Sequence, residues 1–212
     1  MLKVNEIFYS IQGESTFAGL PCVFIRLTGC NLRCRYCDTP YAYEEGKNLS
    51  LDEIQERVAR YHCDLIEITG GEPLLQPEAV NLSSNLMKQG KTILVETNGT
   101  QNIDRLPESA IRIMDIKCPG SGESAKMDWN NIGRLRANDN VKFVISHRDD
   151  FDWAVNIVEK YNLLDKAIVL LSPAFGLLHP EVIATWLLKL SIPIRLNLQL
   201  HKYIWDPNRR GI

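Results

Sequence analysis

Seven short runs of apolar, largely β-branched residues punctuate the chain, at 23–28, 65–69, 92–96, 112–116, 141–145, 167–171 and 193–198. Their length and composition predict strands. Between several of them the apolar positions recur at helical spacing instead. The stretch 51–61 opens with Ser50 as N-cap and Glu53 three places on, a capping box, and 77–89 is stopped by Gly90. Two further helices are expected near 150–161 and 180–190. Strands that read as nearly continuous apolar runs and alternate with helices predict mostly parallel pairing in a sheet covered on at least one face. The expected fold class is therefore α/β, an open barrel with helices on its outside, formed by residues 1–212 as one domain.

In such folds the loops that leave the C-terminal ends of the strands carry the chemistry, because the sheet is a rigid base and the loops vary. The unusual residues of this chain fall there. A loop with three cysteines follows the first run, Gly70-Gly71-Glu72-Pro73 the second, Thr97-Asn98-Gly99 the third and Lys117-Cys118-Pro119 the fourth. All should gather at one rim. The glycines, serines and charges between 119 and 131 predict an exposed loop.

With 24 basic and 26 acidic residues the formal charge is −2, so no positive field argues for a nucleic-acid or membrane partner, and a small molecule is expected. The start MLKVNEIFYS lacks a basic region followed by a long apolar stretch, and no later segment is long enough to span a bilayer, which predicts a cytoplasmic protein. In a reducing compartment the six cysteines are not expected to form disulfides. Cys22, Cys63 and Cys118 sit in or beside apolar elements, as small buried hydrophobes do. Cys30, Cys34 and Cys37 crowd into eight residues and suggest a metal.

The spacing in Cys30-Asn31-Leu32-Arg33-Cys34-Arg35-Tyr36-Cys37 lets one loop wrap three thiolates around a cuboidal iron–sulfur cluster and leaves the fourth iron without a protein ligand. S-adenosylmethionine can chelate that open iron, and reductive electron transfer then breaks its sulfonium bond to give a 5′-deoxyadenosyl radical. A structural zinc site would instead want a fourth ligand from His62, Cys63 or a more distant group. The spacing, with Tyr36 just before the third cysteine, resembles the signature of the radical S-adenosylmethionine superfamily. Gly70-Gly71-Glu72-Pro73 resembles the superfamily motif that touches the amino group of S-adenosylmethionine.

Both ends of the chain narrow the resemblance. Phe8-Tyr9-Ser10-Ile11-Gln12-Gly13-Glu14 and Gln199-Leu200-His201-Lys202-Tyr203-Ile204-Trp205 resemble the 7-carboxy-7-deazaguanine synthase family, so the similarity spans nearly the whole chain. That resemblance implies a homodimer of modified, incomplete (partial TIM-like) barrels. Its reaction would convert 6-carboxy-5,6,7,8-tetrahydropterin into 7-carboxy-7-deazaguanine by radical ring contraction with loss of ammonia, a step toward queuosine and related deazapurines. The resemblance further implies a 4Fe–4S cluster on Cys30, Cys34 and Cys37 and Mg2+ on Thr39. S-adenosylmethionine would lie against Tyr36, Cys37, Asp38, Gly71, Asn98, Asp115, Ile116, Lys117, Pro173, Ala174 and Phe175. The implied substrate contacts are Ile11, Gln12, Gly13, Glu14, Arg26, Thr69, Gln199, His201 and the carboxylate of Ile212. Ser172-Pro173 departs from the family's commoner Gln-Pro at that turn, so contacts there would come from backbone.

Residue chemistry is compatible with that substrate. A carboxylated pterin presents amide and guanidine-like edges plus one anion, which call for paired donors and acceptors and one fixed cation. Gln12 and Glu14 can read the heterocycle and Arg26 can pair with the anion. Arg26 can equally be an ion-paired strand residue, and Thr39 a hydroxyl that caps its own loop. Gln199 and His201 should alternate on one face of a terminal strand. No side-chain acid or base is required, since the radical removes hydrogen from C6 of the pterin, but an external low-potential donor such as flavodoxin or ferredoxin is. Two other readings stay open: an activase of glycyl-radical enzymes, against which Gln12-Gly13-Glu14 and the terminal Gln-Leu-His-Lys argue, and a non-catalytic metal-binding scaffold for a partner protein.

Overall fold

The computed structural model describes residues 1–211. Its strands are β1 (Leu2–Ile11), β2 (Pro21–Leu27), β3 (Lys47–Leu49), β4 (Leu65–Gly70), β5 (Thr92–Thr97), β6 (Ile111–Asp115), β7 (Asn140–Ile145), β8 (Ile168–Pro173) and β9 (Arg195–Leu196). They form one sheet in the order β3-β1-β2-β4-β5-β6-β7-β8-β9. From β2 to β9 every neighbouring pair is parallel, whereas β1 runs antiparallel to both β2 and β3. The sheet does not close, because β9 pairs with β8 alone. Where the ring would seal, a backbone bond joins Leu200 N–H to the carbonyl of Gly13 at 2.9 Å.

The parallel strands stand where the apolar runs predict them. β1 and β3 are additional: a register shift between Val4 and Glu6 breaks the alternation of β1, and β3 is three residues long. β9 is much shorter than the expected 193–198. Asn197 N–H still reaches the carbonyl of Leu171, at 2.9 Å, but the chain then turns into a short helix, α5 (His201–Ile204), fixed by the Leu200–Gly13 bond. Gln199 and His201 therefore do not alternate on a strand. β8 runs on through Ser172 and Pro173, so that pair is a strand end and not a turn. Proline is tolerated there because β9 contacts β8 only at Leu170 and Leu171.

Helices α1 (Leu51–Ala59), α2 (Glu78–Lys88), α3 (Arg148–Lys160) and α4 (Pro180–Leu187) cover the outer face. α1 begins at a complete capping box: Ser50 Oγ accepts from Glu53 N–H at 3.1 Å, and Glu53 Oε2 accepts from Ser50 N–H at 2.7 Å. Leu82 and Leu86 of α2 and Phe151 of α3 are fully buried against the strands, each contributing about 1.5–3 kcal/mol by removal from water. Among the described residues no α-helix links β5 to β6 or β6 to β7, only short 3-10 turns. The segment 119–131, between β6 and β7, is not the exposed loop its composition suggests, since Ser121, Glu123, Met127 and Asn131 are buried. Asn131 Nδ2 donates to the carbonyls of Gly99 and Gln101 at 2.9 and 2.8 Å, while its Oδ1 accepts from Ile103 N–H at 3.2 Å. Its polar side chains satisfy backbone groups that lack strand partners.

On the inner face a smaller apolar cluster of Phe8, Cys22, Phe24, Leu65, Leu94 and Ile113 fills the lower barrel, with Phe8 and Phe24 stacked at 4.9 Å. Cys22 and Cys118 are fully buried and Cys63 partly so. No helix among the described residues is long and apolar enough to cross a membrane.

Candidate active site

Above the apolar cluster the curved sheet encloses a cavity of about 910 Å3 at the C-terminal ends of the parallel strands. The cysteine loop forms part of its rim. Gly29 N–H donates to the carbonyl of Ala42 at 2.8 Å and Arg35 N–H to that of Ser121 at 3.0 Å, pinning the loop on both sides. The loop after β4 is pressed against it. A Cβ at position 71 would strike the Gly29 carbonyl and the Cys30 side chain, so only glycine permits this approach. Glu72 then turns away from the cavity and clamps the β5 loop, accepting from Thr97 Oγ1 at 2.9 Å, Asn98 N–H at 2.6 Å and Leu74 N–H at 2.9 Å. Burial pushes this carboxyl up to about 7 despite those donors.

Cys30, Cys34 and Cys37 all line the cavity. Leu32 N–H and Asn98 Nδ2 approach the Cys30 sulfur at 3.4 and 3.8 Å, as donors to a metal-bound thiolate do. Among the described residues, no three His, Cys, Asp or Glu side chains converge where a single ion could sit. A zinc knot wants four ligands on one ion, whereas a 4Fe–4S cluster takes its thiolates at separate corners. The donor set and the Gly71 cradle fit an iron–sulfur cluster. Burial raises the Cys30 thiol and pushes Cys34 up to about 11, so in the metal-free chain both keep their protons and metal uptake must release them.

The wall is a chain of ion pairs. Lys142 of β7 is buried, with Nζ 2.8 Å from Glu14, 2.5 Å from Glu96 and 3.5 Å from Asp115. Burial opposes its charge, but those carboxylates outweigh it and raise it well above an ordinary lysine. Glu96, likewise opposed by burial, is held low by Lys142 and accepts from Thr69 Oγ1 at 3.0 Å. Asp115 also binds Lys117 at 2.8 Å. Across the mouth, Asp38 accepts from Lys202 Nζ at 2.5 Å, Thr39 Oγ1 at 2.9 Å and Gln199 Nε2 at 3.3 Å. Partial burial would raise this half-exposed carboxyl, yet the Lys202 charge holds it well below the usual range.

Residues 24–171 match the Radical SAM superfamily. The whole chain is 43% identical to the 7-carboxy-7-deazaguanine synthase of Chlorobaculum tepidum, covering 97% of that protein, and 39% identical to that of Koribacter versatilis, covering all of it. This chain belongs to the radical SAM superfamily and, within it, to the 7-carboxy-7-deazaguanine synthase family. The crystal structure of QueE from Escherichia coli shares the fold, with a TM-score of 0.74 over 94% of both chains at 23% identity. Family membership makes the chain a radical SAM enzyme, and the scaffold and activase readings lapse.

In this synthase-family chain the structure gathers the residues singled out in the sequence around one cavity, with three exceptions. Ile116 is buried in the outer core, its N–H bonded to the carbonyl of Lys142 at 2.8 Å, so its side chain cannot line the site between Asp115 and Lys117. Pro173 is likewise buried at the end of β8 and outside the lining, unlike Ala174 and Phe175. Ile212 lies outside the described residues. Arg26 is ion-paired with Glu6 at 2.8 Å through Nε, and it still lines the cavity above Phe8. Thr39 makes no helix-capping bond; its hydroxyl donates to Asp38. His201 packs against Gly13 where a Cβ would not fit, and burial lowers its imidazole. Sequence reasoning missed Glu67, Glu96 and Lys142. Each is a single charge inside an apolar strand run, a pattern that demands a buried partner and could have flagged them.

Proposed function

We propose that the chain converts 6-carboxy-5,6,7,8-tetrahydropterin into 7-carboxy-7-deazaguanine with loss of ammonia, feeding 7-deazapurine synthesis in the cytoplasm. The observation that carries this reading is the enclosed cavity itself, in which a three-thiol rim faces a wall of paired charges and a floor of stacked aromatics. Cys30, Cys34 and Cys37 would hold a 4Fe–4S cluster, which with S-adenosylmethionine bound beside it would supply hydrogen-abstracting radical chemistry. The protein's own task is to bind and aim. Arg26, steadied by Glu6, supplies the fixed cation for the substrate carboxylate, and Thr39, which lines the same cavity, would share Mg2+ with it. Asn98, Asp115 and Lys117 border the S-adenosylmethionine side. Gln12 and Glu14, locked by their hydrogen bonds, face the heterocycle. We assign a flavodoxin or ferredoxin as electron donor and a homodimer as the working form.

The test is direct. Anaerobically reconstituted protein, incubated with reductant, Mg2+, S-adenosylmethionine and the carboxylated tetrahydropterin, should yield both 5′-deoxyadenosine and the deazapurine acid by mass spectrometry. 5′-Deoxyadenosine without that acid would refute the substrate and leave the radical chemistry standing.

A further inference from the structure

The strand registers divide the cavity into layers. Arg26 pairs with Thr69, and one repeat lower Phe24 pairs with Glu67, which in turn pairs with Leu94. At about 3.3 Å per residue, the lower layer lies about 6.6 Å beneath the charged wall. Its cavity-lining members are Phe8, Phe24 and Glu67, so among the described residues a single ionisable group sits in an otherwise apolar floor. Glu67 is held. Gln12 Nε2 donates to its Oε2, and the Gln12 amide cannot turn because its Oε1 already accepts from Glu14 N–H at 3.0 Å. The other oxygen, Oε1, accepts no hydrogen bond among the described residues, yet it is not one of their sealed, unpartnered polar atoms. It opens on the cavity.

The Glu67 carboxyl has one hydrogen-bond partner among the described residues, Gln12, whose amide a neutral acceptor would satisfy equally well. Burial, then the charge of Glu96, push it up to about 8 against the bond from Gln12, and Glu14 adds to the rise while Lys142 opposes it. An uncharged amide would fill the layer and hold Gln12 without burying an ionisable group. The carboxyl is largely protonated at neutral pH, and the adjacent N–H donors of a planar heterocycle entering the aromatic-lined slot would draw it into its ionised, accepting form. We propose that Glu67 is a substrate-binding residue that accepts from the ring N–H and exocyclic amine of the pterin. The opposite corner of the substrate, which bears the carboxylate, then points up the strands toward Arg26. This assignment rests on the proposed substrate, and it gives the amine a partner on the sheet itself.

The experiment compares reconstituted wild-type enzyme with Glu67→Gln, which keeps the side-chain shape and an acceptor for Gln12. Each is assayed with 6-carboxytetrahydropterin and with the analogue lacking the exocyclic amine. Glu67→Gln should raise KM by about tenfold to a hundredfold with kcat changed far less, at unchanged iron content and S-adenosylmethionine affinity. Wild type should lose about tenfold or more in kcat/KM on the analogue, and the variant should barely discriminate. An unchanged KM, or equal discrimination by both proteins, overturns the role of Glu67 while the substrate stands. If wild type forms no deazapurine at all, the substrate reading fails and the floor assignment falls with it.

Discussion

Lys142→Met is the sharpest perturbation of the wall. Methionine keeps the length of the stem and removes the charge that Glu14, Glu96 and Asp115 share. Lys117, already paired with Asp115 at 2.8 Å, is left to offset three carboxylates. Removing one partner of a buried ion cluster costs about 3–5 kcal/mol. Water in the cavity screens part of this and sets the lower end, while the near-isosteric swap adds less than about 1.5 kcal/mol. For a chain of this size the Tm should fall by about 6–12 °C at pH 7. The dependence on pH identifies the cause. In the wild type Lys142 holds Glu96 below its ordinary value of 4.5, so Glu96 contributes stability that is present above that value and lost as pH falls. Without Lys142 the folded carboxylates rise above their unfolded values, the native state takes up protons, and stability returns as pH drops. The gap between the two proteins is therefore widest at neutral pH and closes toward pH 4. Denaturant titrations of the metal-free proteins, followed by circular dichroism from pH 7 to 4.5, measure it. A gap that stays constant over that range would mean lost packing and refute the electrostatic reasoning.

Gly71→Ala drives a methyl group into the Gly29 carbonyl and Cys30, so the cysteine loop must shift; iron per chain should fall by more than about half, with about 1–3 kcal/mol lost in denaturation of the metal-free protein. Full iron loading would show that the close approach is dispensable. Lys202→Met releases Asp38, a half-exposed partner, so stability should change by less than about 1 kcal/mol while protease cleavage beyond α5 quickens; an unchanged cleavage rate would mean that the pair does not hold this segment. Glu67 carries a folded value of about 8 against an ordinary 4.5, so its burial costs nothing below about pH 4.5 and progressively more as pH rises through 8. Glu67→Gln should accordingly be the more stable protein at pH 8.5 and indistinguishable at pH 4, and equal stability at both would contradict the buried-carboxyl account.

Much of this arrangement was legible in the residues because it rests on spacing. Ser50 with Glu53 announces α1, and the cysteine triplet with Gly70-Gly71-Glu72-Pro73 announces the rim. Spacing also explains what misled. Asp115, Ile116 and Lys117 are neighbours in the chain, but only the first and third side chains reach the cavity, as a period of two requires. The segment 119–131 looks solvated because composition cannot reveal that Asn131 satisfies backbone groups of another loop. β1 hid behind a register shift. Glu67, Glu96 and Lys142 were visible as isolated charges in strands, but their convergence depends on the order of strands around the sheet, which no local pattern encodes.

The seam between Gly13 and Leu200 carries a kinetic consequence. Two segments separated by almost the entire chain meet there through one backbone bond rather than a strand ladder. Loop-closure entropy makes so distant a contact the last to be rewarded during folding, after the strands between have already assembled. Refolding should accordingly pass through a species with a finished sheet and an unlaced edge, native by far-ultraviolet dichroism yet unable to retain a pterin, and binding competence should lag behind secondary structure.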